Sequence, residues 1–341
     1  MKRSRFGVST RLLALATIVT AAGFAAPASA FAGTRASDDA LSLVPADAAS
    51  IAVIRFNELR SNPLASRLFS DADHVGGNGD AARFMEEANL KPRQDVDTAV
   101  VVGLIPGGSG DSPVLALFEG RFDPERLSAA ALRRGATRMS TPAGDYFLLP
   151  EKNSSNHGRG AVAFASTHLV IGGSEPAVAS ALASRSAGGT AFLSGAGLGR
   201  QLSRVDRGSS VWALVDVTQY PKVQNGFNRG GTAHPGSDAG QALFGAMKSV
   251  TFFSFQATVR SDDLALVATG VSPDAETRQL LEDSLKGVVA MWRLAVQEKQ
   301  PDLVTVLRRF KIDSSGDAVT VSGTLPGSVV RSLAEKRRAS Y

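Results

Sequence analysis

The chain has 341 residues, no cysteine and a formal charge of +5. Without cysteine it can form no disulfide, thiolate nucleophile or zinc–thiolate site. Four basic residues (Lys2, Arg3, Arg5 and Arg11) lie in an N-terminal leader that holds no acid, so the remainder carries 33 − 32 = +1, which gives no case for nucleic acid or anionic lipid as a partner.

The leader has the three parts of a secretory signal peptide: a basic start, an apolar run from Leu12 to Ala26, and a small-x-small site at Ala28-Ser29-Ala30. Cleavage is expected after Ala30, with Ala30-Phe31-Ala32 as a second candidate site. The apolar run is short for a membrane span, and no later segment is long and apolar enough to span. Residues 31–45 read as a lead-in, with a short helical turn over Leu41 to Val44. Ser50 to Phe56 reads as a buried strand.

A helix is expected over Leu59 to Phe69 and a glycine-rich loop over His74 to Gly79. A second helix, capped by Asp80, carries Ala81, Phe84, Met85 and Ala88 at helical spacing and should stop at Lys91-Pro92, because the residue before proline is pushed out of the α region. Val96 to Ile105 and Val114 to Phe118 read as a hairpin. It leads into a corner at Asp123-Pro124, an N-cap acceptor followed by a residue whose missing N–H costs nothing in the first helical turn. The helix after it should end at Gly135. A further hairpin, Thr137 to Thr141 with Tyr146 to Leu149, precedes the polar loop Lys152 to Arg159. Ala161 to Pro176 is a hairpin running into a helix.

The second part of the chain repeats this order. Val211 to Val217 echoes the first strand, setting Val53 on Leu214 and Arg55 on Asp216. Tyr220 to Asn228, the glycine-rich loop Gly230 to Gly236, and a helix with Ala242, Leu243, Ala246 and Met247 echo the next three segments. Val250 to Val259 and Leu264 to Ala268 echo the hairpin, and Ser272-Pro273 echoes the corner at a spacing of 273 − 124 = 149. The helix that follows is long, with an apolar stripe of Leu281, Leu285, Val288, Trp292 and Ala295. Where the first part has a hairpin, Pro301 to Phe310 reads as a helix. Phe310 to Pro326 then repeats the last hairpin, at 326 − 176 = 150. It sets Leu169 on Val319, Ile171 on Val321 and Gly173 on Gly323. The expected fold is therefore α+β, with two similar halves at 46–190 and 191–341, each a mostly antiparallel sheet packed by helices. Ala187 to Gly208 would join them.

Leu43-Val-Pro-Ala-Asp47 followed by the strand Ile51 to Phe56 resembles the mature start of a loose group of secreted bacterial proteins of unknown function. In that group an α+β unit recurs. Val44 interrupts the leucine-proline pair of the pattern. The resemblance implies export and a repeated unit, and it carries no activity.

Chemistry leaves little trace. His74, His157 and His234 lie in glycine- or serine-rich loops and His168 at a hairpin turn, and no pair has the i, i+4 spacing of a helical metal site. Gly103 to Gly110 lacks the lysine and hydroxyl of a phosphate-binding loop. Gly195 to Gly199 has the wrong spacing for a dinucleotide fingerprint. No Gly-x-Ser-x-Gly elbow is present. Asp71 with Asp73, and Asp262 with Asp263, read as solvated turn carboxylates rather than cation ligands. The basic groups Arg308-Arg309-Lys311 and Lys336 to Arg338 read as solvated surface. Trp212 and Trp292 read as core. Asn153-Ser-Ser155 matches a glycosylation acceptor.

No catalytic, cofactor-binding or metal residue is assigned and no cofactor is expected. The reading is a periplasmic or extracellular, non-enzymatic binding or structural module. Its partner would be a protein or envelope component met at the groove or sheet edge between the halves, with no nucleic acid and no membrane-embedded segment after cleavage. The alternatives are a hydrolase with a site assembled from distant residues, and a carrier of an apolar ligand.

Overall fold

The computed structural model describes residues 38–65, 80–105, 113–150, 159–189, 192–195, 197–220, 249–297 and 301–338. The chain is α+β and divides into two compact units. One takes in Gly33–Ser61 and Ala65–Leu202, the other Asn62–Leu64 and Ser203–Tyr341. His74, His157, His234, Asp71, Asp73, Asn153 and the glycine-rich loops 74–79 and 230–236 lie outside the described residues, as does the helix expected around Leu243.

The first unit holds α1 (Asp38–Ser42), β1 (Ala48–Arg55), α2 (Phe56–Ser61), α3 (Asp80–Glu87), α4 (Pro92–Asp95), β2 (Val96–Leu104) and β3 (Val114–Gly120). It continues with α5 (Pro124–Arg133), β4 (Thr137–Thr141), β5 (Gly144–Leu148), β6 (Gly160–Phe164), β7 (Leu169–Ser174) and α6 (Glu175–Ser186). Its strands lie in the order β1-β2-β3-β7-β6-β5-β4, each pair antiparallel. Both faces of the sheet are covered. On one, Phe118, Val170 and Phe164 pack against Phe122, Leu127 and Ala130 of the α5 corner and against Phe84 of α3. Ala131, Ala136 and Phe147 extend that layer. On the other face lie the fully buried Ile51, Val53, Val100, Leu115, Leu117 and Ile171. There α6 sits over the hairpin: Tyr146 donates to Glu175 at 3.2 Å, and a Cβ on Gly144 would stand 3.7 Å from Leu182. Burial on both sides explains why these strands read as apolar runs rather than alternating ones.

Two helices of this unit differ from expectation. The first starts at Phe56, directly after β1, and ends at Ser61, where Asn62 leaves the helix and its side chain caps the N–H of Leu64. Leu68 and Phe69 lie outside the described residues. The second ends at Glu87, well before Pro92. Asn89 takes a left-handed conformation (φ 51°), a turn that asparagine tolerates at a helix end. Pro92 instead opens the short α4.

The second unit holds β8 (Val211–Asp216), β9 (Phe252–Arg260), β10 (Asp263–Val271), α7 (Ala275–Gln297), α8 (Pro301–Arg308), β11 (Lys311–Ser315), β12 (Ala318–Pro326) and α9 (Gly327–Arg338). Its strand order is β11-β12-β10-β9-β8, again antiparallel throughout. The start of α7 seats Leu281 against Val250 and Val319, with Leu285 beside them. The side chains of Trp292 and Ala295 lie outside the described residues. The opposite sheet face carries Trp212, Ser254, Gln256 and Thr258. It is tied to the preceding chain: Asp206 N donates to Gln256 Oε1 at 2.6 Å, and Thr258 Oγ1 to Ser209 Oγ at 3.1 Å.

The cap of α7 is not Ser272. Asp274 fills that place, its Oδ2 accepting from the N–H of Thr277 at 2.6 Å. Ser272 is fully buried, its N–H donating to Asp317 O at 2.9 Å and its hydroxyl to Ser249 at 3.2 Å. Asp262 is an exposed turn carboxylate, as expected, and it also forms a two-pronged pair with Arg331 of α9.

Candidate functional site

The corner after β3 lines a cleft of about 320 Å³ in the first unit. Its geometry begins at Gly120. A Cβ there would stand 1.9 Å from Asp95 O, so only glycine lets the two backbones approach. That approach allows Arg121 N to donate to Asp95 O at 2.7 Å. The β6–β7 turn is joined to the same stretch on its other side. Gly120 N donates to His168 O at 3.1 Å, and Phe122 N to Thr167 O at 2.8 Å.

The side chains follow from that frame. Asp123 caps α5 through the N–H of Arg126 at 3.1 Å and pairs with its guanidinium at 3.1 Å. Asp95 accepts from Lys91 N at 2.7 Å. Arg121 donates to Gln94 O. His168 Nδ1 lies 3.1 Å from Gly120 O. A carbonyl oxygen only accepts, so this contact requires a proton on Nδ1. Ala88, Phe122 and Leu127, all buried, form the floor. Two arginines and two aspartates balance, so the cleft has no net charge when His168 is neutral.

Of the four histidines, the structure describes His168 alone, at the expected hairpin turn. It shares the cleft with Asp95 and Asp123, which the sequence reading did not place near it. Both carboxylates are already engaged in fixing backbone. Among the described residues Thr167 makes no bond to His168, so no nucleophile–base pair is assembled here. No three His, Asp or Glu side chains converge as a metal site among the described residues. Gly120 and the Asp123-Pro124 corner were the local signals of this cleft. Nothing local announced that residues 88–95 and 167–168 would meet there. No described helix is long and apolar enough to cross a membrane.

No family model matches the chain, and no curated protein matches it. Among solved structures, the chain is similar to crystal form III of TP0453, at 12% identity and a TM-score of 0.47, over 88% of this chain and 100% of that one. Crystal form I of the same protein gives 12% identity and a TM-score of 0.42, over 88% of this chain and 98% of that one. Neither value is high enough to argue from.

Proposed function

We propose that the chain is an exported, non-enzymatic binding module made of two related halves, and that the cleft at the α5 corner receives a segment of a protein partner. The observation that carries this reading is the state of the polar groups in the cleft. Asp95, Asp123, Arg121 and Arg126 are each engaged by backbone or by one another, around an apolar floor. Such a surface orients a ligand through its rim and anchors an apolar side chain below. The neutral balance of charge suits peptide-like polarity rather than a strongly anionic ligand.

The relatedness of the halves is supported by strand order. The series β1-β2-β3-β7-β6 and β8-β9-β10-β12-β11 coincide when β1 answers to β8. The pairing Val53↔Val100 answers to Leu214↔Ser254. Between the later strands Leu115 faces Gly173, whereas Leu266 faces Gly323. With Leu115 set on Leu264, the two pairings differ by a two-residue slip.

The binding reading is tested by selecting displayed random peptides on the purified protein and on a Leu127→Arg variant. Peptides sharing an apolar anchor should be enriched on the wild type and lost on the variant. Failure to enrich any such peptide counts against the reading. Turnover of ester, peptide or phosphoester substrates that disappears in His168→Ala would replace it with the hydrolase.

A further inference from the structure

We propose that the outer edge of β4 is a self-association surface, on which β4 of a second copy of this chain pairs antiparallel about a two-fold axis through Met139. β4 ends the sheet of the first unit, and all five of its residues are exposed. The hairpin overhangs. β5 pairs with β4 over five positions but with β6 only at Phe147↔Val162 and Leu148↔Ala161.

The turn settles which backbone groups are open. Only Pro142 and Ala143 lie between Thr141 and its partner Gly144. Thr141↔Gly144 is therefore a hydrogen-bonded pair, and by alternation so are Met139↔Tyr146 and Thr137↔Leu148. The N–H and C=O groups of Arg138 and Ser140 then point to the free edge, where no described strand meets them. The usual protections of an edge are missing: β4 has no proline, lysine or bulge. Its one charge, Arg138, is held by Asp145 at 2.9 Å. The edge of β11, by contrast, carries Lys311 and Asp313.

The pattern along β4 is its own complement, which selects a second copy as the occupant. With Met139 on the axis, Arg138 of each copy falls opposite Ser140 of the other. Ser140 stands directly across from Asp145 on β5. Each guanidinium thus comes alongside a serine–carboxylate pair across the interface, and the relation is reciprocal, as a two-fold contact requires. On the other face Met139, 37% exposed, meets its twin, flanked by Thr137 opposite Thr141. Five residues bury little area, so the association is weak and depends on concentration.

The absence of cysteine makes the register directly measurable. Residues facing each other at a non-hydrogen-bonded position stand about 4.5 Å apart at Cα, within disulfide reach. Met139→Cys should give a disulfide-linked dimer on mild oxidation, at a yield that rises with protein concentration. Thr137→Cys and Thr141→Cys should each give little alone, since their twins would lie roughly 13 Å apart, but should cross-link when mixed. Adding Ser140→Pro to Met139→Cys removes an outward N–H and should abolish the product. Thermal melts of each variant check folding. Equal yields at all three positions, or no dimer from folded Met139→Cys across the concentration range, would overturn the proposal.

Discussion

At Trp212 the indole is fully buried on β8, and its Nε1 has no hydrogen-bond partner among the described residues. Its contribution is therefore apolar area rather than polar recognition. Trp212→Ala should lower stability by ~3–5 kcal/mol, the range for truncating a buried aromatic. Trp212→Phe should lower it clearly less, because it removes an unpaired N–H along with part of the ring. Urea titration of both variants checks this, and equal losses would mean that the N–H has a partner. Asp317 gives a pH-dependent case. The two-pronged pair with Arg204, at 2.7 and 3.1 Å, holds its carboxyl below the usual carboxylate range. A lowered folded-state pKa adds stability that is complete above the unfolded value and lost as pH falls through the lowered one. Stability of the wild type should thus decline from roughly pH 4 downward more steeply than that of Asp317→Asn. Parallel acid titrations would show no difference in slope if the pair contributes nothing.

Among the elements, the two helical corners show how far local chemistry reaches. Asp123 caps α5 as its position before Pro124 suggests, because donor and acceptor lie three residues apart and nothing distant intervenes. Ser272 stands in the same relation to Pro273, yet it is drawn into the core by Ser249 and the backbone of Asp317. The cap passes to Asp274. In α7 the apolar stripe enters the core at Leu281 and Leu285, while Leu280, Met291 and Leu294 lie on another face and are exposed. Leu281→Ala should accordingly lower stability by ~2–5 kcal/mol. Leu294→Ala, at a side chain in a residue 71% exposed, should change it by less than about 0.5 kcal/mol. Comparable losses in chemical denaturation would mean that the far end of α7 is packed against something else.

For the whole molecule, the proposals of export and binding lead to different measurements. Protein recovered from the exported fraction should begin at Phe31 or Gly33 on N-terminal sequencing, as cleavage after Ala30 or Ala32 requires. A chain still starting at Met1 in the membrane fraction would remove the exported reading. It would leave the cleft and the β4 edge untouched, since both rest on residues 88–168 and on no part of the leader.

Sequence alone determined the features that depend on neighbours along the chain: the order of most of the described strands and helices, the corner at Asp123-Pro124, the stop at Gly135 and the helix that Pro301 opens. Periodicity, caps and turn residues act over a few positions, and those signals survive without knowledge of the fold. Tertiary structure decided which strands are neighbours, that Ser272 is buried, and that Asn89 rather than Pro92 ends α3. It also decided that residues 88–95, 120–127 and 167–168 share one cleft. Those contacts join residues up to 80 positions apart (168 − 88 = 80), and they depend on sheet register and close backbone approach at Gly120. No local pattern encodes them, because the bonds that join the stretches, such as Arg121 N to Asp95 O and Phe122 N to Thr167 O, run between backbone groups that nearly every residue carries.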